Sequence, residues 1–158
     1  SEIGNNCTFG QNVFVGNHVK IGKNCKIQNN VSVFEGVILG DNVFCGPSMT
    51  FTNVKNPRSE FPTGKYQKTL VGNGVTFGAN CTIINGIKIG NYSFIGAGAV
   101  VTKNVDNHSL VVGNPARHVG WVSHNGIKLN LPIRGKKKAV CKVSGKKYEL
   151  KGSKCVEI

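Results

Sequence analysis

A six-residue period runs through most of the sequence and constrains the fold more than any other feature. An apolar residue occupies every sixth position from 3 to 51, and the same spacing resumes from 71 to 101. Most of these residues are followed by Gly, and two positions later Asn or Gly dominates, as at Asn6, Asn24 and Gly74. A period of six fits neither an amphipathic helix nor one long strand. It predicts short strands joined by tight corners, because Gly and Asn tolerate a positive φ, and such turns stack into a parallel β-helix.

The period breaks between the two blocks of repeats. From Phe51 to Val71 is 20 residues, which is out of phase with six. Residues 54–68, which include two prolines and five charged residues, are therefore expected to leave the scaffold as a loop, and such loops often carry function.

Three regions are expected along the chain. Residues 1–113 form the β-helix with its loop, and residues 114–133 form a linker with a short helix at about 116–123, because Pro115 suits the first helical position. Residues 134–158 form a small β appendage, because short β-prone segments alternate there with Ser-Gly and Gly-Ser pairs.

The net charge of +13 is unevenly distributed along the 158 residues. Eleven of the 20 Lys and Arg residues, but only two of the seven acidic residues, lie from Arg117 onward. A basic surface attracts nucleic acids, membranes or phosphorylated small molecules. Neither a nucleic-acid-binding module nor a basic amphipathic helix is visible. A phosphate-rich substrate and cofactor are therefore the expected partners, without nucleic acid, and solvation is the simplest account of the basic tail.

The six cysteines do not predict disulfides. Four of them fall at inward-facing positions of the repeat, where free cysteine behaves as a small hydrophobe: Cys7, Cys25, Cys45 and Cys81. No metal site is predicted, because zinc needs about four ligands and only Cys141, Cys155 and a His are available outside the repeats.

The sequence has no segment apolar enough to span a bilayer and no recognisable signal peptide. We therefore expect no membrane insertion and a cytoplasmic location. Residue 1 falls just before a repeat, which predicts a truncated chain or a missing first coil.

The six-residue period resembles that of the hexapeptide-repeat acyltransferases, in which three short strands per coil form a left-handed triangular prism. The left-handed winding is implied by the resemblance alone, since parallel crossovers are normally right-handed. The expected fold is all-β: a left-handed parallel β-helix of roughly five coils with strands about 4.8 Å apart, a short helix and a small C-terminal β appendage.

Several segments are similar to the acetyl-CoA-dependent N-acetyltransferases that act on nucleotide-linked 3-amino sugars. These segments are residues 44–48, 51–59, 69–71, 78–83, 112–117 and 120–121. The run Phe-Thr-Asn-Val-x-Asn-Pro-Arg from Phe51 to Arg58 is similar to the branch that acetylates UDP-2-acetamido-3-amino-2,3-dideoxyglucuronate. A related branch for dTDP-3-amino-6-deoxyhexoses tends to carry Asp after that Asn. The resemblance implies acetyl-CoA as co-substrate, a nucleotide sugar as partner, a homotrimer with sites between subunits, and a role in surface polysaccharide or lipopolysaccharide synthesis.

The resemblance also implies roles for residues near the loop. Asn53 would be the catalytic residue, its amide orienting the sugar amine, and the alternative is a simple corner residue. Asn56 and Arg58 would bind substrate, with Arg58 meeting the diphosphate or the uronate carboxylate; a solvated loop arginine is the alternative. Glu35 is a candidate base or acceptor for a sugar hydroxyl, or else a surface carboxylate.

The nucleotide and the cofactor are expected to lie elsewhere on the prism. Asn29 and Asn30 are candidate nucleotide contacts. In this fold the pantetheine arm meets backbone groups at Gly-Ala steps, which here are Gly78, Ala79, Gly96 and Ala97. Lys103 and Arg117 are placed to meet the CoA phosphates, and solvated charges are the alternative.

Three other functions are known to occur, or could occur, on a prism of this kind. An O-acetyltransferase for a sugar or serine needs a general base, and His18 is the candidate; the alternative is that His18 occupies a corner. A γ-type carbonic anhydrase needs three converging His ligands, but three of the four histidines lie in or after the last coil. A non-catalytic prism with a regular Thr array would leave the 54–68 loop without a role.

Overall fold

The computed structural model describes residues 1–158 and shows a left-handed parallel β-helix with a small antiparallel sheet at its C-terminal end. Strands of two or three residues alternate with corners, and three strands make one coil. The strands of the first three coils are β1 (Glu2–Ile3), β2 (Thr8–Phe9), β3 (Phe14–Val15), β4 (Lys20–Ile21), β5 (Lys26–Ile27), β6 (Ser32–Val33), β7 (Val37–Leu39), β8 (Phe44–Cys45) and β9 (Thr50–Phe51).

The remaining strands follow the 52–68 loop. They are β10 (Thr69–Val71), β11 (Thr76–Phe77), β12 (Thr82–Ile83), β13 (Lys88–Ile89), β14 (Phe94–Ile95), β15 (Val100–Val101), β16 (Ser109–Val112), β17 (Arg117–Trp121), β18 (Gly135–Val140), β19 (Lys147–Gly152) and β20 (Lys154–Glu157).

Each strand from β1 to β12 pairs in parallel with the third strand after it, β14 pairs in parallel with β16, and this pairing produces three sheets. The first sheet contains β1, β4, β7, β10 and β13; the second runs from β2 through β5, β8, β11 and β14 to β16 and β17; the third contains β3, β6, β9, β12 and β15. The register pairs Ile21 with Leu39, and Leu39 with Val71, so the period-six residues stack on the axis. In the core of coils two to five they are almost fully buried, as predicted.

The corners adopt the predicted left-handed conformation. Ten residues other than Gly have φ between 55° and 61°, and seven of them occupy the Asn or His corner positions of the repeat. Ser48 and Tyr92 adopt the same conformation without being favoured for it, whereas Asn104, the last predicted corner residue, does not. Asn104 lies where the spacing between stacked residues, Ile89 and Val105, shortens to 16.

The predicted short helix at 116–123 is wrong. Residues 117–121 instead form β17, which pairs antiparallel with β16. The hairpin covers the last edge of the second sheet, whose backbone donors and acceptors would otherwise be unpaired. His118, Val119 and Trp121 have side chains suited to this pleated edge, so tertiary pairing overrides the helical signal of Pro115.

The C-terminal sheet packs against the end of the solenoid through its own small core. That core consists of Trp121, Leu129, Cys141, Tyr148, Leu150 and Cys155. Trp121 donates its indole N–H to the Pro132 carbonyl at 2.9 Å. Tyr92 stacks on His108 and His124, with ring centroids 5.3 and 4.2 Å apart. The His108 ring also packs edge-on against Tyr148 with centroids 5.4 Å apart, and His124 N–H donates to the Tyr148 hydroxyl at 2.8 Å. Through Tyr148 these contacts anchor the appendage to the corner between the first and second sheets.

All six cysteines are free, and only Cys7 is not fully buried. Burial raises the pKa of the Cys81 thiol to about 12 and that of Cys25 to about 11. Cys25 and Cys81 are therefore protonated hydrophobes, in agreement with their positions in the repeat.

Nothing helical in this structure has the length and apolarity needed to cross a bilayer.

Candidate functional site

One edge of the prism collects the chemistry-bearing residues near the loop. We call it the loop corner: the edge between the third and first sheets, from which residues 52–68 depart. The register pairs Ser32 with Thr50, and Ile83 with both Phe51 and Val101. Residues two positions after the third-sheet strands are therefore stacked one coil apart, about 4.8 Å, in the order Asn17, Glu35, Asn53, Asn85 and Lys103.

Asn53 lies at the base of the loop. It is half-buried, and its carbonyl accepts a hydrogen bond of 2.9 Å from the Gln67 backbone N–H. Thr69 N–H then donates to the Gly36 carbonyl at 3.0 Å. These two bonds clamp the departing and returning chain together. The close return requires Gly36, whose φ is 98° and whose added Cβ would lie 2.7 Å from the Gln67 carbonyl oxygen. The Asn53 backbone is thus held by the scaffold, although it borders a loop.

Asn85, directly above Asn53, has an unpaired amide. The residue is 6% exposed, and its Nδ2 is buried without a hydrogen-bond partner. Its backbone N–H donates to Thr52 Oγ1 at 3.0 Å, and the Gln67 side chain lies beside the following Gly86. Leaving a buried amide donor unpaired costs about 1–3 kcal/mol. Functional sites are one setting in which such a cost is retained.

Sequence reasoning missed Asn85. The available signal was its position two residues after Ile83, which matches that of Asn53 after Phe51. The loop insertion separates Asn85 from Asn53 by 32 positions, so the six-residue pattern alone did not bring them together.

Glu35 lines a cavity of about 540 Å³ on the loop corner. His18, one coil below, lines the same cavity, together with Lys65, Tyr66 and Lys68 from the returning part of the loop. His18 is exposed and has a φ of 55°, as expected for a corner residue. The cavity combines one carboxylate and one imidazole with two ammonium groups.

The other predicted substrate residues lie apart from Asn53. Asn56 and Arg58 are exposed in the outer part of the loop. Asn29 and Asn30 lie on a different edge, between the second and third sheets. There Asn29 Oδ1 accepts from Gln11 N–H at 3.1 Å, and Asn30 Oδ1 accepts from Asn12 Nδ2 at 3.2 Å. Within one chain, both side-chain amide oxygens therefore accept hydrogen bonds from the adjacent coil.

The predicted cofactor residues form a strip on that second edge. Gly78 and Ala79 lie directly below Gly96 and Ala97, because the register pairs Phe77 with Ile95. A side chain at Gly78 would collide with the Ala97 backbone. The strip therefore presents backbone with almost no side-chain cover. The third sheet, with Thr82 and Val100 facing outward, separates this strip from the loop corner.

Lys103 and Arg117 are brought together at the end of the solenoid. Both line a cavity of about 340 Å³, with His118 and Asp106 beside them and Val101, Val105 and Val111 as apolar lining. Arg117 donates from Nη1 to the Ala116 carbonyl at 3.1 Å. Two permanent cations in one concavity attract a phosphate or pyrophosphate.

No group of three or more His, Cys, Asp or Glu side chains is arranged to hold a metal ion. His108 and His124 instead stack on Tyr92, and His118 packs on Trp121 with ring centroids 4.3 Å apart. Burial lowers the pKa of His108.

Comparison with known proteins places the repeats in a recognised class. Residues 1–35 and 68–103 match the family model "bacterial transferase hexapeptide (six repeats)". The chain is 39% identical over 84 residues to dTDP-3-amino-3,6-dideoxy-α-D-galactopyranose 3-N-acetyltransferase of Aneurinibacillus thermoaerophilus, covering 53% of this chain and 42% of that protein. It is 46% identical over 52 residues to serine acetyltransferase 4 of Arabidopsis thaliana, covering 33% of this chain and 15% of that protein.

A solved structure extends the match to three dimensions. The galactoside acetyltransferase structure in complex with coenzyme A superposes with a TM-score of 0.69 at 27% identity, covering 77% of this chain and 65% of that chain. This chain spans less than half the length of the two sequence relatives. Residues 1–35 and 68–103 of its solenoid are thus similar to the hexapeptide repeats of bacterial transferases.

The unpaired amide of Asn85 predicts an unusual response to mutation. Asn85→Leu, which is close in volume, removes the unpaired donor and is expected to raise the free energy of unfolding by about 1 kcal/mol. The matched control is Asn91→Leu, because Asn91 Oδ1 accepts from Asn73 N–H at 2.8 Å and its loss leaves that donor unpaired. Urea denaturation measures both, and equal destabilisation by the two changes would show that the Asn85 amide is satisfied.

Proposed function

We propose that this chain, whose repeats are those of the hexapeptide-repeat acetyltransferases, is an acetyl-CoA-dependent N-acetyltransferase for the 3-amino group of a nucleotide-linked amino sugar. The observation that carries the proposal is the position of Asn53. Its half-buried amide lies at the clamped base of the loop, directly below the buried, unpaired amide of Asn85. The relative named as a dTDP-amino-sugar N-acetyltransferase supports the class of reaction.

The reaction requires the protein mainly to position the sugar amine against the thioester. A neutral sugar amine attacks the thioester carbonyl carbon, a C–N bond forms, the C–S bond breaks, and the amine proton passes to the leaving thiolate. Asn53 Oδ1 accepts one amine N–H and so directs the nitrogen lone pair. Asn53 can accept this hydrogen bond only when its side-chain amide is oriented with Oδ1 toward the amine. In the proposed mechanism Asn85 Nδ2 donates to the second lone pair of Asn53 Oδ1 and holds the Asn53 amide in that orientation. In this role Asn85 is a positioning residue.

Charge in the loop supports an acidic sugar. Residues 54–68 carry Lys55, Arg58, Lys65 and Lys68 against Glu60, a net charge of +3. Two of these lysines line the cavity beside Glu35. A uronate carboxylate and a diphosphate both suit this cationic surface, whereas a 6-deoxy sugar supplies only the diphosphate. UDP-2-acetamido-3-amino-2,3-dideoxyglucuronate is therefore the proposed substrate, and a dTDP-3-amino-6-deoxyhexose is the alternative.

The two cofactor regions suit the parts of CoA. The Gly78–Gly96 edge offers exposed backbone to an extended pantetheine arm, and the Lys103–Arg117 cavity offers cations to its phosphates. The strip is open to solvent, and the galactoside enzyme that superposes on this chain was solved with coenzyme A bound. We propose that a neighbouring subunit supplies the second wall of the groove.

A panel of acceptors tests the function. A coupled free-thiol assay with acetyl-CoA measures turnover of UDP-2-acetamido-3-amino-2,3-dideoxyglucuronate, a dTDP-3-amino-6-deoxyhexose, serine and a galactoside. The proposal expects the nucleotide 3-amino sugars to be acetylated far faster than either hydroxyl acceptor. Faster acetylation of serine or galactoside would refute it.

The proposed groove predicts a homotrimer. Phe14 is 50% exposed and Phe44 is 36% exposed on the outer faces of the third and second sheets, and both supply apolar area for a subunit interface. Sedimentation at micromolar concentration is expected to give a threefold multiple of the 16.9 kDa chain mass. A monomer under those conditions would exclude the shared groove.

Removing the Asn53 amide is expected to affect catalysis more than cofactor binding. Asn53→Ala should lower kcat by about 100-fold, because the amine loses its alignment, while the KM for acetyl-CoA stays within a few-fold. Asn85→Leu should also lower kcat, although we expect this variant to have a higher free energy of unfolding than the unmodified protein. Asn17→Ala, in the same column but two coils away, is the matched control. Loss of acetyl-CoA affinity with turnover preserved at saturation would show that Asn53 belongs to the cofactor site.

His18 distinguishes amine from hydroxyl acetylation. Its place beside Glu35 in one cavity favours O-acetyltransferase activity as the second candidate function. If His18 serves only as a corner residue, His18→Asn keeps a residue suited to positive φ and should change kcat less than about fivefold. An essential base is worth about 10²–10⁴-fold. Steady-state kinetics across a neutral pH range measure the effect. A hundredfold loss accompanied by loss of an ionisation from the pH–rate profile would assign general-base catalysis to His18.

A further inference from the structure

The outer face of the C-terminal sheet is unusually cationic. Side chains alternate along β18, β19 and β20, and one set faces the small core that contains Tyr148 and Leu150. The opposite set faces outward, and we call it the lysine face: Lys136, Lys138, Val140, Lys147, Glu149, Lys151, Lys154 and Val156. Five lysines and one glutamate give this face a net charge of +4.

The lysines are placed directly opposite one another. The register pairs Lys136 with Lys151, and Lys151 with Lys154, so three ammonium groups form one row across three strands. Like charges opposite each other destabilise a sheet. Glu149, whose Oε2 lies 2.9 Å from Lys151 Nζ, offsets only part of this repulsion between the lysines. Its hydrogen bond with Lys151, reinforced by Lys138 and Lys136, holds the pKa of the Glu149 carboxyl below its usual value. The other carboxylate of the sheet, Glu157, is paired with Lys146 at 2.7 Å, so the remaining charge has no counter-charge on the lysine face.

Aliphatic side chains lie beside these lysines. Val140 is 56% exposed and Val156 is 43% exposed, and both point outward among the ammonium groups. Ile158, which is 55% exposed, continues this side of the sheet, its backbone N–H donating to the Lys147 carbonyl at 2.9 Å. Exposed aliphatic groups and unneutralised lysines therefore share one surface.

The chemistry of this surface limits its partner. Cavities reach the lysine face only at its margins, where Lys154 and Val156 line one of about 360 Å³ and Val140 lines another of about 410 Å³. The row of Lys136 and Lys151 lines neither cavity, which favours an extended anionic surface over a small phosphorylated ligand. It presents neither an aromatic ring for base stacking nor an arginine fork for base edges, the groups that nucleic-acid-binding surfaces combine with their cations. Lysines interspersed with short aliphatic side chains match the phosphate and glycerol layer of a lipid bilayer, because the ammonium groups meet anionic headgroups while the aliphatic groups enter the interface.

We propose that the lysine face docks the protein on an anionic phospholipid surface. The contact is peripheral and electrostatic, and it is independent of the acetyl-transfer chemistry.

Vesicle partitioning tests the proposal. The full chain is mixed at low ionic strength with sucrose-loaded vesicles of phosphatidylcholine, either alone or blended with phosphatidylglycerol, and then sedimented. We expect partitioning to the anionic vesicles only, and its loss as salt rises from about 0.1 M to about 1 M, where the Debye length falls to about 3 Å. A lysine near such a surface contributes about fivefold to the partition coefficient. The triple change Lys136→Gln, Lys151→Gln and Lys154→Gln should therefore lower partitioning by about 100-fold.

Two matched variants separate the lysine face from net charge. Lys20→Gln, Lys23→Gln and Lys26→Gln remove the same charge from exposed positions on the second coil and should change partitioning less than fivefold. Replacing Lys136, Lys151 and Lys154 by Arg keeps the charge and should preserve binding. Thermal unfolding confirms that each variant is folded. Absence of anionic-vesicle binding, equal losses in the two Gln triples, or binding to duplex DNA without vesicle partitioning would each overturn the proposal.

Discussion

The structure depends on hydrogen bonds between successive coils. Parallel backbone bonds hold each strand to the third strand after it, and Asx side chains continue the bonding at the corner between the first and second sheets. There Lys23 N–H donates to Asp41 Oδ1 at 2.9 Å, and Asp41 N–H donates to Asn73 Oδ1 at 2.8 Å. The same pattern continues to Asn91 and Asn107. Corners would otherwise leave backbone donors unpaired, so each such bond contributes about 1 kcal/mol net and keeps the coils in register.

Register gives the protein its candidate site. Once coils stack at a constant offset, residues that are distant in sequence form straight columns along each edge. The column of Glu35, Asn53, Asn85 and Lys103 arises in this way, as does the strip from Gly78 to Ala97. A loop can then leave one coil without disturbing the next, because Gln67 and Thr69 return to bonds that close its base. The rigid column holds the amides, and the loop adds cations around them.

The end of the solenoid poses a different physical problem. Parallel sheets finish with unpaired edges, and β17 covers one of them by turning back on β16. The appended sheet then buries Trp121 and Tyr148 in a core of its own. Tyr148 anchors it to the solenoid, because its ring packs on His108 and its hydroxyl accepts from His124 N–H. Its inner face supplies this packing. Its outer face contributes nothing to this core, and we propose that the lysines there bind an anionic phospholipid surface.

Local pattern in the sequence determined the solenoid, its inward-facing residues and most of its corners. A six-residue period fits short strands joined by tight corners, and Asn or Gly marks where φ is positive. The break in this period predicted the 54–68 loop, whereas the left-handed winding and the role of Asn53 were implied by the family resemblance. Tertiary structure alone decided that residues 117–121 form an edge strand, that Asn85 lies above Asn53 with an unpaired amide, and that three lysines face one another across the last sheet. These outcomes depend on pairing between segments far apart in the chain, and the hydrogen-bond register that brings them together is a property of the folded stack rather than of any local window of residues.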